Sequence, residues 1–172
     1  MFGQYESFFI ASTGAAAAFL GLLFVGFTVV DSGESDPGTR ERRTVLAGSA
    51  FIALADAFFV SILALTGGPV VFGLASLAMA AIGLLATSRL MPRARRAGNF
   101  ARGFPTRKLN IAFATVSAVG FSVQLGLSVA LLVAPHDATL QRALIVMIPV
   151  LYGSGLARAW EVTGIRRARP PA

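Results

Sequence analysis

Residues Thr44–Leu90 read TVLAGSAFIALADAFFVSILALTGGPVVFGLASLAMAAIGLLATSRL, two apolar runs, Thr44–Leu65 and Val70–Leu90, separated only by Thr66, Gly67, Gly68 and Pro69. An α-helix needs about 20 mainly apolar residues to cross a hydrocarbon core of roughly 30 Å, and each run meets that length. A joint this short, with two glycines and a proline, is a turn, so the two helices are expected to fold back on each other as antiparallel neighbours. Barrel strands are excluded because the runs are continuous and do not alternate.

Three further segments of the same kind flank this pair: Phe8–Val30 ahead of it, and Leu109–Val133 and Leu140–Val162 behind it. The expectation is an all-α, polytopic transmembrane bundle of about five spans, a single membrane domain over residues 1–172. Composition agrees, since 55% of residues are hydrophobic and 13% charged, where soluble domains have about a quarter charged. The longest hydrophilic stretch, Arg89–Lys108, is too short for an independent domain. The first apolar run exceeds a signal-peptide core and has no basic residue ahead of it, so it reads as a retained span. The absence of cysteine excludes disulfides, thiolate metal sites and cysteine nucleophiles.

Basic residues are retained on the cytoplasmic side during insertion. The first loop holds Arg40, Arg42 and Arg43; the third holds Arg89, Arg93, Arg95, Arg96, Arg102, Arg107 and Lys108; the C-terminal end holds Arg158, Arg166, Arg167 and Arg169. Only Arg142 falls on the other side of a five-span chain, so the N-terminus is expected outside and the C-terminus inside. The preference for Arg over Lys, with abundant Ala, fits a bacterial cytoplasmic (inner) membrane. Tyr5, Phe8 and Phe9 at one end of the first span and Trp160 at the inner end of the fifth occupy levels where interfacial aromatics collect. The third loop has no acidic residue and accounts for the net charge of +7. It reads first as a topology signal, and next as a surface on which a short helix around Phe100 and Phe104 meets anionic lipid. A docking surface for a protein or nucleic-acid partner ranks third, and no nucleic-acid partner is expected.

Asp56 stands in the middle of the second span. A carboxyl at the bilayer centre costs about 2.5–3.5 kcal/mol even on the lenient insertion scale, so it is expected to face protein or water. Counting about 1.5 Å of rise per residue from each Arg-rich end, Asp56, Gln124 and Ser76 fall at similar depths. Pro149 frees the carbonyl of Ile145 at that level too. Asp56, Gln124, Ser76 and the Pro149 kink therefore form a candidate polar layer. Its bland role is to hydrogen-bond helices together. Its functional roles are a proton or ion relay, a midplane substrate contact, or a ring of Asp56 residues around an oligomeric pore.

Ala11, Gly14, Ala18 and Gly21 recur at alternating spacings of three and four along the first span and form a groove of small residues. Ser117, Gly120 and Gln124 repeat the spacing in the fourth. Internal packing is the expected use, and a dimer or partner interface the alternative. Enzymatic readings fail on inventory. Gly153-Ser154-Gly155 lacks the earlier glycine of the rhomboid-type serine motif, Tyr152 standing in its place, and no span contains the histidine a dyad needs. The only histidine, His136, sits beside Asp137 in an outer loop. The acidic residues of the first loop lack regular calcium-ligand spacing. Heme and catalytic metals lack clustered ligands, and no cofactor is expected.

The stretch GAAAAFLGLLFVGF, Gly14–Phe27, with Phe8 and Phe9 ahead of it, resembles the opening span of small bacterial multi-span proteins, some identified as modulators of the FtsH membrane protease. The resemblance covers the first span and implies a role in engaging another membrane protein. Two classes follow: a regulatory or assembly protein using the small-residue face and the basic surface, or an oligomeric channel or transporter using the polar layer around Asp56.

Overall fold

The computed structural model describes residues 2–31, 37–100 and 104–164, with side chains described for 3–28, 43–90, 92 and 112–160. A 3-10 turn at Phe2–Tyr5 leads into α1 (Glu6–Asp31), followed by α2 (Pro37–Phe100), α3 (Phe104–Val133) and α4 (Ala138–Gly164). Among the described residues there is no strand, and all four helices are long and apolar enough to cross a membrane.

The count corrects the expectation of five helices. Four are seen, because the second and third predicted spans run together in one 64-residue element, α2. The physical reason is Gly68. Its φ of 68° and ψ of −166° are non-helical and lie in a region essentially reserved for glycine, so one residue reverses the chain and no loop is needed. A straight helix would set Asp56 and Ser76 about 30 Å apart. Both instead meet one nitrogen of Gln124, at 2.9 and 3.4 Å. α2 is therefore a helical hairpin with a first arm over 37–67 and a second over 69–100. Pro69 opens the second arm where a missing N–H costs nothing, and a Cβ on Gly67 would fall inside the Val71 side chain.

The helices also outrun the predicted ends. α2 continues through Pro92 to Phe100 and α3 starts at Phe104, so the described part of the anticipated third loop, 89–100 and 104–108, is helical; residues 101–103 lie outside the described residues. Of the short interfacial helix expected around Phe100 and Phe104, Phe100 is the last residue of α2 and Phe104 the first of α3, and the residues between them lie outside the described ones.

The first arm is the centre of the bundle. Ala53, Leu54, Ala55, Asp56 and Ala57 are buried in succession, which requires neighbours on every side of that helix. α2 packs against α1, α3 and α4, and α1 also touches α4. One apolar cluster joins Phe9 of α1, Val60 and Phe72 of the two arms, Leu131 of α3 and Leu144 and Ile148 of α4. Phe9 meets Phe72 edge to face at 5.7 Å, so it is a core residue and not the interfacial aromatic expected. Tyr5 and Phe8 pack against the same cluster, whereas Trp160 is exposed at its end of α4. Glycines that permit close approach are Gly83, facing the Phe121 ring, and Gly155, facing Leu54 and the Ala50 carbonyl.

The surface is inverted relative to a water-soluble protein. Leu22, Phe24, Leu85, Val119 and Val146 are exposed, while Asp56, Ser61, Ser76, Gln124 and Ser128 are buried. Such a chain meets lipid on its flanks.

Gly68→Ala should destabilise the fold by about 1–3 kcal/mol, because an L side chain is strained at this φ and ψ. The melting temperature in detergent should drop for this variant and hold for Gly26→Ala, where nothing crowds an added Cβ.

Candidate functional site

Three of the four predicted polar-layer residues converge. Gln124 Nε2 donates to Asp56 Oδ1 at 2.9 Å and to the Ser76 carbonyl at 3.4 Å, linking α3 to both arms of α2. Asp56, Ser76 and Gln124 are 0%, 1% and 2% exposed, so the layer is closed to both lipid and water. Ser76 takes part through its backbone, and among the described residues its Oγ, Asp56 Oδ2 and Gln124 Oε1 have no hydrogen-bond partner. One turn along α3, Ser128 Oγ returns to the Gln124 carbonyl at 2.7 Å.

Pro149 does not join this group. It is exposed on α4, which stays helical through it, and Ile145 sits in the apolar cluster with Leu144 and Ile148. A proline in lipid is tolerated without an inward-facing kink when neighbouring contacts hold the helix.

Two further polar ties were not anticipated. Ser12 of α1 shares hydrogen bonds with Ser61 Oγ of the first arm at 2.8 Å and with Tyr152 Oη of α4, and that phenol also donates to the Ser12 carbonyl. At the Arg-rich end, Arg158 of α4 donates from Nη1 to the Ser49 carbonyl at 3.2 Å and lies 5.9 Å above the Phe113 ring of α3. The first arm thus supplies Ser49, Asp56 and Ser61 to three ties along about 18 Å of its length. The signal for them was present: each is a hydrogen-bonding residue in an apolar run, which in lipid must be satisfied internally.

The small-residue groove of α1 faces the other way from the expected packing. Ala11, Gly14, Ala18 and Gly21 are exposed, and a Cβ on Gly14 or Gly21 would meet nothing within 4 Å. Phe9, Ser12 and Ala16 form the inward side. The α3 repeat is split, since Ser117 and Gln124 are buried while Gly120 has open space beside it.

Of the predicted lipid-facing cations, Arg93, Arg95 and Arg96 belong to the end of α2, and Arg107 and Lys108 to the start of α3, on positions whose side chains are not described. Arg102 lies outside the described residues. Asp137 caps α4, accepting from the backbone N–H of Thr139 at 2.7 Å and of Leu140 at 3.3 Å. Its neighbour His136 is exposed. Ser154 spends its hydroxyl on the Leu151 carbonyl within its own helix. Among the described residues no cluster of three or more His, Asp or Glu could hold a metal.

The chain matches no family model, no curated protein and no solved structure.

The Asp56–Gln124 bond should show a coupling of about 0.6–2 kcal/mol in a double-mutant cycle with Asp56→Ala and Gln124→Ala, the range for polar contacts between membrane helices. Reversible unfolding in mixed micelles would measure it, and strictly additive losses would show that the contact contributes nothing.

Proposed function

We propose that this chain is an assembly or regulatory protein of a bacterial inner membrane that engages other membrane helices sideways, through the small-residue face of α1. The observation that carries this reading is the outward position of Ala11, Gly14, Ala18 and Gly21 on a helix already anchored by its opposite side. Lipid supplies no hydrophobic drive for helix association, so close approach along small residues is the main source of contact energy. α1 is also the least enclosed of the four helices, most of its described apolar length facing outward. The likeness of Gly14–Phe27 to opening spans of FtsH modulators points to the same partner-engaging role.

In this reading the two arms of α2 each cross the bilayer, giving five crossings. An odd count puts Arg142 on one side and the remaining basic residues on the other, with the N-terminus outside and the C-terminus inside. The basic side faces anionic headgroups. No catalytic step is assigned to the chain.

A second reading is favoured by one observation. Among the described residues, Asp56 Oδ2, Gln124 Oε1 and Ser76 Oγ are buried without partners, and a proton or small cation would satisfy them, as an oligomeric ion or proton channel or a small-solute transporter would need.

The absence of native cysteine makes the test clean. Gly14→Cys or Ala18→Cys, labelled with a photoreactive maleimide in native membranes, should capture a helix of a second copy or of another membrane protein, while the inward-facing Ala16→Cys should capture none. No adduct from either outward position, together with ion flux in proteoliposomes that Asp56→Asn abolishes without reducing folded yield, would replace the first reading with the second.

A further inference from the structure

Arg158 is placed unusually for a cation near the end of a membrane helix. Two residues before the exposed Trp160, its long side chain could reach the headgroups as such residues ordinarily do. It turns inward instead and is 1% exposed. Among the described residues its one hydrogen bond goes to a neutral carbonyl, that of Ser49, and Nε has none. The described carboxylates are engaged or distant: Asp56 with Gln124 about 10 Å further along the first arm, Asp137 at the opposite end of α4, and Glu6 exposed at the start of α1.

Beside the guanidinium is a cavity of about 30 Å³ between both arms of α2, α3 and α4. Its lining includes Ser49, Thr87, Phe113, Ser117 and Phe121 as well as Arg158, the remainder being mostly aliphatic. A buried cation in such surroundings calls for a negative partner. The space suits one or two waters or a monatomic anion and is too small for the phosphate of a lipid headgroup. The walls are equally suited to a weakly hydrated anion. Ser49 and Ser117 donate only to carbonyls of their own helix, Leu46 and Phe113, and can rotate toward the cavity, while phenyl rings present a positive edge.

We propose that this cavity is a binding site for a halide-sized anion, chloride under ordinary conditions, held by Arg158 as its counter-charge and by the hydroxyl of Thr87. The anion neutralises the most deeply buried of the described cations and ties α4 to α3 and to both arms of α2 at their Arg-rich end. The site is independent of any docking on α1.

The test is thermal melting of the purified full-length protein in neutral detergent, with chloride exchanged for gluconate at constant ionic strength. The wild type should be stabilised saturably by chloride. Thr87→Val should raise the half-saturating concentration about fivefold, the effect of one lost hydrogen bond, and Arg158→Gln should melt at one temperature in both salts. If Arg158→Gln fails to fold, line broadening of the chloride-35 resonance by wild type, reduced with Thr87→Val, decides the question. A wild type that melts identically in both salts and leaves the resonance sharp would assign the cavity to water and overturn the proposal. So would stabilisation by phosphatidylglycerol in halide-free buffer with no response to chloride, or an undiminished chloride effect in a folded Arg158→Gln variant.

Discussion

In hydrocarbon a hydrogen-bonding group can be satisfied only by the protein itself, and this constraint acts most strongly on Asp56. Its side chain must be covered, so the first arm of α2 has to lie in the middle of the bundle with that position turned toward a donor. Gln124 supplies the donor from α3, and the same amide nitrogen reaches the Ser76 carbonyl on the second arm. Two separate constraints meet in this contact. The reversal at Gly68 brings Ser76 back to the level of Asp56, and the amide bridges the two arms once they are there. The turn without the bond would leave a carboxyl unsatisfied, and the bond without the turn could reach only one arm.

Ser61 lies five residues beyond Asp56, and Ser49 seven residues before it, so polar ties recur along the first arm at intervals of about 8–10 Å. Each recruits a different set of neighbours: α3 and the second arm at Asp56, α1 and α4 at Ser61, α4 with α3 nearby at Ser49. With lipid outside and aliphatic side chains inside, no difference in polarity selects one rotation of a helix over another. The ties supply that selection. Glycines then fix how closely the helices approach, at Gly83 against Phe121 and at Gly155 against Leu54.

This division explains what could be read from the sequence and what could not. Membrane character and the hairpin were legible, because apolar length and a Gly-Gly-Pro joint are local properties. The common depth of Asp56, Gln124 and Ser76 was legible as well, because depth follows from residue count when helices run from a common boundary, whereas their meeting depends on helix rotation, which the sequence leaves open. Which side of α1 carries the small residues was misread. Spacing reveals that Ala11, Gly14, Ala18 and Gly21 share a face, and says nothing of where that face points when both surroundings are apolar. The cue was Ser12, which lies on the opposite side of the helix and needs a partner. Pro149 was misplaced for the same reason, since its depth was right and its rotation open. The helix count differed because the non-helical break is confined to Gly68, so no separate loop stands between the two arms.

The two sides of α1 also bear on how the bundle could take part in an assembly. Phe9, Ser12 and Ala16 are committed inward, and the hydroxyl of Ser12 binds two helices at once. The small residues stand on the reverse side of the same helix, roughly half a turn away. A partner helix settling there would displace only lipid, with no internal hydrogen bond broken and no core side chain moved. Because contact in lipid is gained through close approach, that arrangement favours a docked helix without weakening the bundle that presents the surface. A groove formed by opening the polar layer would lack this property, since separating α3 from α2 exposes Asp56 and Gln124 to hydrocarbon before any new contact forms. Were a partner helix to dock, the periphery of α1 would accept it at less cost than the interior, because the ties through Ser12 hold α1 in place without using its outer side.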